Sequence, residues 1–200
     1  MKKILLVAVA ALIATANVRA QEGYDTKHEI GISYGFGSNS DIINSLGGGI
    51  GLGLGGSRGD DKKRIGAISA EYFYHASEVI GLGGIFSYAR YTQDVIFNRD
   101  DSKMGYNADN YFTIMPAAKF NWLRKDHFGM YSKLAAGVTF AKFKYENESG
   151  NNSNNTDNLV HFNWQASLIG IEAGGSRLRG FAELGLGEQG IGLLGIRYKF

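Results

Sequence analysis

In eight stretches between residue 29 and residue 200, apolar side chains recur at every second position, and a period of two means strands with two unlike faces. Ile30, Ile32, Tyr34 and Phe36 are separated by Gly31, Ser33 and Gly35. Phe112, Ile114, Pro116, Ala118, Phe120 and Trp122 are separated by Thr113, Met115, Ala117, Lys119 and Asn121. Leu194, Ile196, Tyr198 and Phe200 are separated by Gly195, Arg197 and Lys199. The alternation predicts eight strands, over 29–36, 66–75, 79–89, 111–122, 128–140, 160–170, 178–187 and 191–200. In all eight the apolar face falls on even-numbered residues. None of those even positions holds Asp, Glu, Lys, Arg, His, Asn or Gln, and apart from tyrosine and tryptophan their only polar side chain is Ser132. Helices are disfavoured by composition. All 29 glycines lie beyond residue 20, and each costs a helix about 1 kcal/mol. No apolar run after residue 20 approaches the roughly 18 residues that a transmembrane helix needs.

The character of the two faces decides which one meets which medium. A soluble barrel or sandwich turns its apolar face inward and a densely charged face to water. Here the odd-numbered face is rich in Gly, Ala and Ser with sparse charges, which suits a narrow lumen. The even face carries large aromatics near strand ends: Tyr34, Phe36, Tyr74, Tyr88, Trp122, Phe128, Phe140 and Tyr198. That distribution matches the two interfacial girdles of a membrane barrel. The N-terminus agrees. Met1, Lys2 and Lys3 make a basic start, residues 4–13 are an apolar run too short to span a bilayer, and Val18-Arg19-Ala20 is a small-x-small cleavage site. This is the pattern of a secretory signal peptide. Residues 1–20 are therefore expected to be cleaved, leaving residues 21–200 as one outer-membrane β-barrel domain. Cleavage removes Lys2, Lys3 and Arg19 and turns the net charge of +2 into −1. The basic character of the whole chain then gives no support to nucleic-acid binding. With no cysteine, a disulfide scaffold, a thiol enzyme and a zinc–thiolate site are excluded.

Connection lengths test the topology independently. With the N-terminus in the periplasm, the connections 37–65, 90–110 and 141–159 are extracellular and long. The connections 76–78, 123–127 and 171–177 are periplasmic and short, as outer-membrane barrels require. The last extracellular connection, Glu188-Gln189-Gly190, is expected as a three-residue hairpin, a type I turn with Gly190 in the left-handed position, pairing Gly187 with Ile191. Ala76-Ser77-Glu78 is expected to do the same for His75 and Val79.

The last ten residues end in an aromatic residue with apolar residues at alternate positions before it. Phe200, Tyr198, Ile196 and Leu194 resemble the C-terminal assembly signal of outer-membrane proteins, which implies recognition by the barrel-assembly machinery. The whole of residues 21–200 resembles the small eight-stranded OmpA/OmpX-type barrels and the short "outer membrane beta-barrel" domain proteins. The resemblance implies an all-β, antiparallel, eight-stranded transmembrane barrel in the Gram-negative outer membrane. It carries no catalytic motif, and a shared fold does not by itself give a function.

Three regions are candidates for chemistry. By parity the lumen holds Glu29, Glu71 and Glu183 against Lys119, Lys133, Arg179, Arg197 and Lys199, with inward glycines leaving room for them. Arg197 is expected to reach Glu183 or Glu29. Charges in a narrow lumen need partners or water, so an ion-paired plug is expected, with a narrow water-filled, porin-like pore as the alternative. At the extracellular rim, Lys62, Lys63 and Arg64, with Arg90, Lys142 and Lys144 at neighbouring strand ends, are placed to meet lipopolysaccharide phosphates. Solvated loop charges are the other reading. The first loop holds the glycine-rich run 47–56, in which Gly51, Gly53 and Gly56 form G-x-G-x-x-G without the βαβ unit that nucleotide binding needs. Residues 40–46 are expected to form one helical turn, and Ile50, Leu52 and Leu54 are a hint of a partner at the loop tip. The third loop is Asn-rich and expected to be flexible. Asp94, Asp100, Asp101 and Asp109 make no calcium-loop pattern. An enzyme needs a base beside a nucleophile. His28, His75 and His127 fall at the periplasmic end, His161 points inward, and Ser132 has no histidine on its face.

The expectation is therefore a monomeric, non-enzymatic barrel without cofactor or metal, embedded in outer-membrane lipid and lipopolysaccharide. Its loops 37–65, 90–110 and 141–159 are the surface through which it would meet a partner. A small-ligand transport barrel is the second reading and a lipid-modifying barrel enzyme the third.

Overall fold

The computed structural model describes residues 26–40, 57–97, 103–147 and 155–200. Its strands are β1 (His28–Phe36), β2 (Ser57–His75), β3 (Ile80–Phe97), β4 (Lys103–Arg124), β5 (Phe128–Asn147), β6 (Asn155–Gly174), β7 (Leu178–Gly187) and β8 (Gly192–Lys199). Each strand pairs with the next in antiparallel fashion, and β8 pairs with β1 to close the barrel. Closure removes the unpaired edges that an open sheet would leave in a membrane.

Polarity is inverted relative to a soluble barrel. Ile32, Leu82, Ile114, Leu134, Phe162, Leu184, Leu194 and Ile196 are exposed on the outside, while Glu29, Glu71, Lys119, Lys133 and Arg197 are buried inside. The aromatic side chains at the strand ends point outward. Tyr34, Phe36, Tyr74, Trp122, Phe128 and Phe140 are all exposed. One register row runs Tyr34–Ile68–Tyr88–Phe112–Phe140–Val160 around six adjacent strands. This outward row lies near the upper girdle, and the end where β1 begins and β8 finishes is the lower end.

Three features depart from the sequence reading. First, much of the three connections expected as loops is strand. β2 begins at Ser57, β3 and β4 are joined by residues 98–102, and β5 and β6 by residues 148–154. Above the girdle the outer face turns polar while Ala89, Tyr91, Tyr111 and Ala141 stay buried inside, so backbone pairing continues there without the apolar outer face that marks the membrane span. Second, the tight turns are wider than expected. His75 pairs with Gly81, not Val79. Glu183 pairs with Leu193 and Leu184 with Gly192, so Gly187 does not pair with Ile191. Val79 and Ile191, expected inside, are exposed. Third, β6 changes parity. Ser167 pairs with Gly185 but Ile169 with Leu184, which makes Leu168 one extra residue in β6. Such a bulge reverses the facing of everything beyond it. Ile169 and Ile171 face outward, whereas Gly170 and Glu172 are buried. Gly170 was expected outside, and residue 172 was placed in a turn.

The bulge also accounts for Ser132. Its hydroxyl donates to the Leu168 carbonyl at 2.7 Å, supplying a partner to a backbone oxygen at the break in the ladder, where no water is at hand. The expected signal peptide at 1–20, the helical turn beyond Ser40, the glycine run 47–56 and Asp100 and Asp101 lie outside the described residues.

Candidate functional site

The lower half of the lumen is an ionic network. Glu29, Glu71, Lys119, Lys133, Glu183, Arg197 and Lys199 all lie inside the barrel, each 3% exposed or less. Two pairs of like charges sit directly opposite each other in the ladder: Lys119 faces Lys133, and Arg179 faces Arg197. Neighbouring like charges are destabilising by themselves, so each needs acids reaching from across the lumen. Lys133 Nζ meets Glu71 at 2.8 Å and Glu183 at 2.9 Å. Lys119 Nζ meets Glu29 at 2.7 Å and lies 4.0 Å from the centre of the Tyr131 ring.

Arg197 is the hub. Its guanidinium bonds Glu71 and meets Glu172 at 2.6 Å, Glu29 at 3.4 Å and Glu183 at 3.8 Å. It also stacks against Phe181, 4.2 Å from the ring centre. Arginine suits this position because its planar fork takes carboxylates from several sides and its face rests on an aromatic ring. The two partners expected for it, Glu183 and Glu29, are the more distant ones.

Glu172 was missed by sequence reasoning, and it binds the greatest number of cations. One oxygen takes Arg179 at 2.6 Å and also Lys199, and the other takes Arg197 at 2.6 Å and Lys119 at 3.5 Å. A signal was present in the alternation Ile169, Ile171, Ala173 against Gly170, Glu172, Gly174, a phase opposite to the one before Leu168. Gly129 makes the space, since a Cβ there would stand 2.8 Å from a Glu172 oxygen. His75, at the lower end, meets Glu29 at 3.0 Å.

The strand row above the network carries hydroxyls rather than charges. Ser33, Ser69, Ser87, Thr113 and Thr139 form one register row across β1 to β5, and His161 continues it on β6. Ser69 and Ser87 bond at 2.6 Å, as do Thr113 and Thr139. Sequence reasoning noted the small polar odd face without seeing that cross-strand register joins these residues. Above them the 188–190 turn folds into the mouth instead of standing in water. Glu188 and Gln189 are 1% exposed or less, and Gly187 and Gly190 have φ of 134° and 120°, a region open to glycine. Glu188 accepts from Ser40 Oγ at 2.6 Å, Asn163 Nδ2 at 2.8 Å and Thr113 at 3.3 Å. The turn was expected on the surface; the donors lining the mouth draw it inward.

The remaining candidates are spread over the wall. Leu194, Ile196 and Phe200 are exposed on the outside of the barrel and Tyr198 is half-buried there. His28 stacks on Phe200, 5.5 Å between ring centres, and bonds Tyr72 at 2.8 Å. Lys62, Lys63 and Arg64 belong to the upper part of β2, where side chains are outside the described residues. Arg90 and Lys142 are exposed on the outer face immediately above the girdle.

No family model matches the sequence, and no curated protein matches it. Two solved structures of Ail, the attachment invasion locus protein of Yersinia pestis, are similar to the chain. The one in complex with the heparin analogue sucrose octasulfate is 16% identical with a TM-score of 0.46, covering 86% of this chain and 96% of that one. The other is 15% identical with a TM-score of 0.44, at the same coverage.

Proposed function

We propose that this chain is an integral barrel of the Gram-negative outer membrane, non-enzymatic, with its lower lumen filled by the ionic network and its surface role carried by the projecting wall β2–β6. The single observation behind this reading is the closed barrel's inverted polarity, with exposed Ile, Leu and Phe outside and Glu, Lys and Arg inside. A closed sheet with that polarity satisfies its backbone internally and offers lipid an apolar band. Buried ion pairs that reach across the lower lumen from several strands favour a filled barrel over a pore. The wall supports the surface role, because β2 to β6 continue well beyond β1, β7 and β8 and carry paired backbone away from the membrane.

One observation favours a narrow conduit as the second reading. Ser33 Oγ and both polar atoms of the Gln189 amide are buried without a partner among the described residues. Such groups ordinarily hold water, so the upper lumen would be hydrated down to the network.

Conductance of the refolded chain in a planar bilayer separates the two, with heated and unheated gels run alongside to show that a compact barrel is present. A silent bilayer with a heat-shifted band supports the filled lumen. Steady channel steps from the same verified barrel would move transport to first place.

A further inference from the structure

The outer face immediately above the upper girdle carries an arrangement of donors that the fold alone does not require. Arg90 on β3, Asn110 on β4 and Lys142 on β5 are direct register partners, two residues above Tyr88, Phe112 and Phe140 on the same face. Adjacent strands lie about 4.8 Å apart, so Arg90 and Lys142 flank Asn110 at roughly 10 Å from each other, within reach of one group between their flexible side chains. Arg90 and Lys142 are exposed, and neither forms an ion pair among the described residues. The central amide is held in one orientation. The Tyr88 hydroxyl donates to Asn110 Oδ1 at 2.9 Å, which leaves Nδ2, a donor only, available on the strand between the two cations.

We infer that Arg90, Asn110 and Lys142 form a phosphate clamp for a lipid A headgroup of the surrounding outer leaflet. The inference rests on the outer-membrane reading above. A guanidinium, an amide nitrogen and an ammonium on one face present hydrogen-bond donors and two positive charges, the chemistry that takes a phosphate by charge-assisted bonds. Height selects the source. The row sits just above the aromatics that mark the membrane–water boundary, where a lipid's phosphate lies when its chains cover Phe112, Ile114 and Phe140. Tyr88 is a positioning residue: its ring belongs to the girdle, 5.0 Å from that of Phe112, and its hydroxyl aims the amide.

The test uses the full-length chain expressed in a Gram-negative host, purified from outer membranes in detergent and titrated with lipid A under native mass spectrometry. Bis-phosphorylated lipid A is expected to stay bound to the wild type, and dephosphorylated lipid A to bind at least ten-fold more weakly. Arg90→Gln with Lys142→Gln is expected to lower retention at least ten-fold, each single change a few-fold, and Lys125→Gln at the opposite rim not at all. Tyr88→Phe should lose a few-fold while both charges remain, a loss that charge attraction alone does not produce. Equal retention by the double variant, equal binding of dephosphorylated lipid A, or displacement by millimolar inorganic phosphate would overturn the assignment. The single variants keep the test open if the double variant does not fold. A wild-type chain without a heat-shifted band would count against the barrel reading itself, separately from the clamp.

Discussion

At the scale of single residues, burial makes Glu172 and Arg197 interdependent. Five bases (Lys119, Lys133, Arg179, Arg197 and Lys199) share four acids (Glu29, Glu71, Glu172 and Glu183) in the lower lumen, and Glu172 contacts four of those bases. Neutralising it leaves Arg197 and Arg179 facing each other with one anion fewer between them. Breaking a buried pair by removing one partner costs about 3–5 kcal/mol. Glu172→Gln is therefore expected to lower the urea unfolding midpoint of the vesicle-inserted barrel by an amount equivalent to that range. Lys199→Met removes a surplus cation and leaves Glu172 its arginines, so a loss of about 1 kcal/mol is expected. Equal losses for the two would mean that the network does not depend on its acids. Gly129→Ala is expected to fall between them, because its Cβ would press on the Glu172 carboxylate and so disturb the pairing without deleting it.

At the scale of the element, β6 shows what a parity argument can and cannot reach. Strict alternation was legible wherever lipid lies on one side and lumen on the other, because each face then answers to one medium. It put eight charges on the inner face, from Glu29 to Lys199, and all eight are buried. It failed at Leu168, where two adjacent apolar residues, Leu168 and Ile169, both face outward and the phase reverses. It failed again above the girdle, where the outer face of β5 turns polar at Lys142, Lys144 and Glu146 and so conceals strands that backbone pairing extends. The turn registers were lost for a third reason: parity constrains which face a residue takes, and a shift of two residues leaves parity unchanged. Glu172 thus depends on the bulge, and the bulge on Ser132. Ser132→Ala leaves the Leu168 carbonyl without its 2.7 Å donor, with an expected loss of about 1–3 kcal/mol in the same unfolding measurement. Deleting Leu168 removes the extra residue itself: Ile169 then follows Ser167 in strict alternation and Glu172 still faces the lumen. The heat-shifted band is therefore expected to persist in that variant. Its loss would show that the barrel needs the bulge and not only the phase it sets.

At the scale of the whole molecule, one claim joins the girdles, the lumen and the row at Arg90: the barrel has a defined height in the bilayer. The two tryptophans of the sequence, Trp122 and Trp164, both point outward and are exposed, so each reports its own depth. On β4, Trp122 lies ten residues below Phe112 of the upper girdle; on β6, Trp164 lies four residues below Val160 of the same register row. With a rise of about 3.3 Å per residue and a strand tilt of about 40°, Trp122 sits roughly 25 Å below Phe112 and Trp164 roughly 10 Å below Val160. The apolar band of such barrels is about 25 Å tall, which puts Trp122 at the opposite interface and Trp164 close to the bilayer centre. Single-tryptophan variants, Trp122→Phe and Trp164→Phe, in vesicles of lipids brominated at defined depths would measure this. Emission from Trp164 is expected to be quenched most by bromines near the chain ends, and emission from Trp122 most by bromines near the headgroups. Equal quenching by shallow bromines at both sites would mean a barrel lying at the surface rather than spanning the bilayer, and Arg90 and Lys142 would then have no leaflet boundary to mark. The expected depths instead would set those two side chains two residues above the girdle aromatics, level with lipid phosphates.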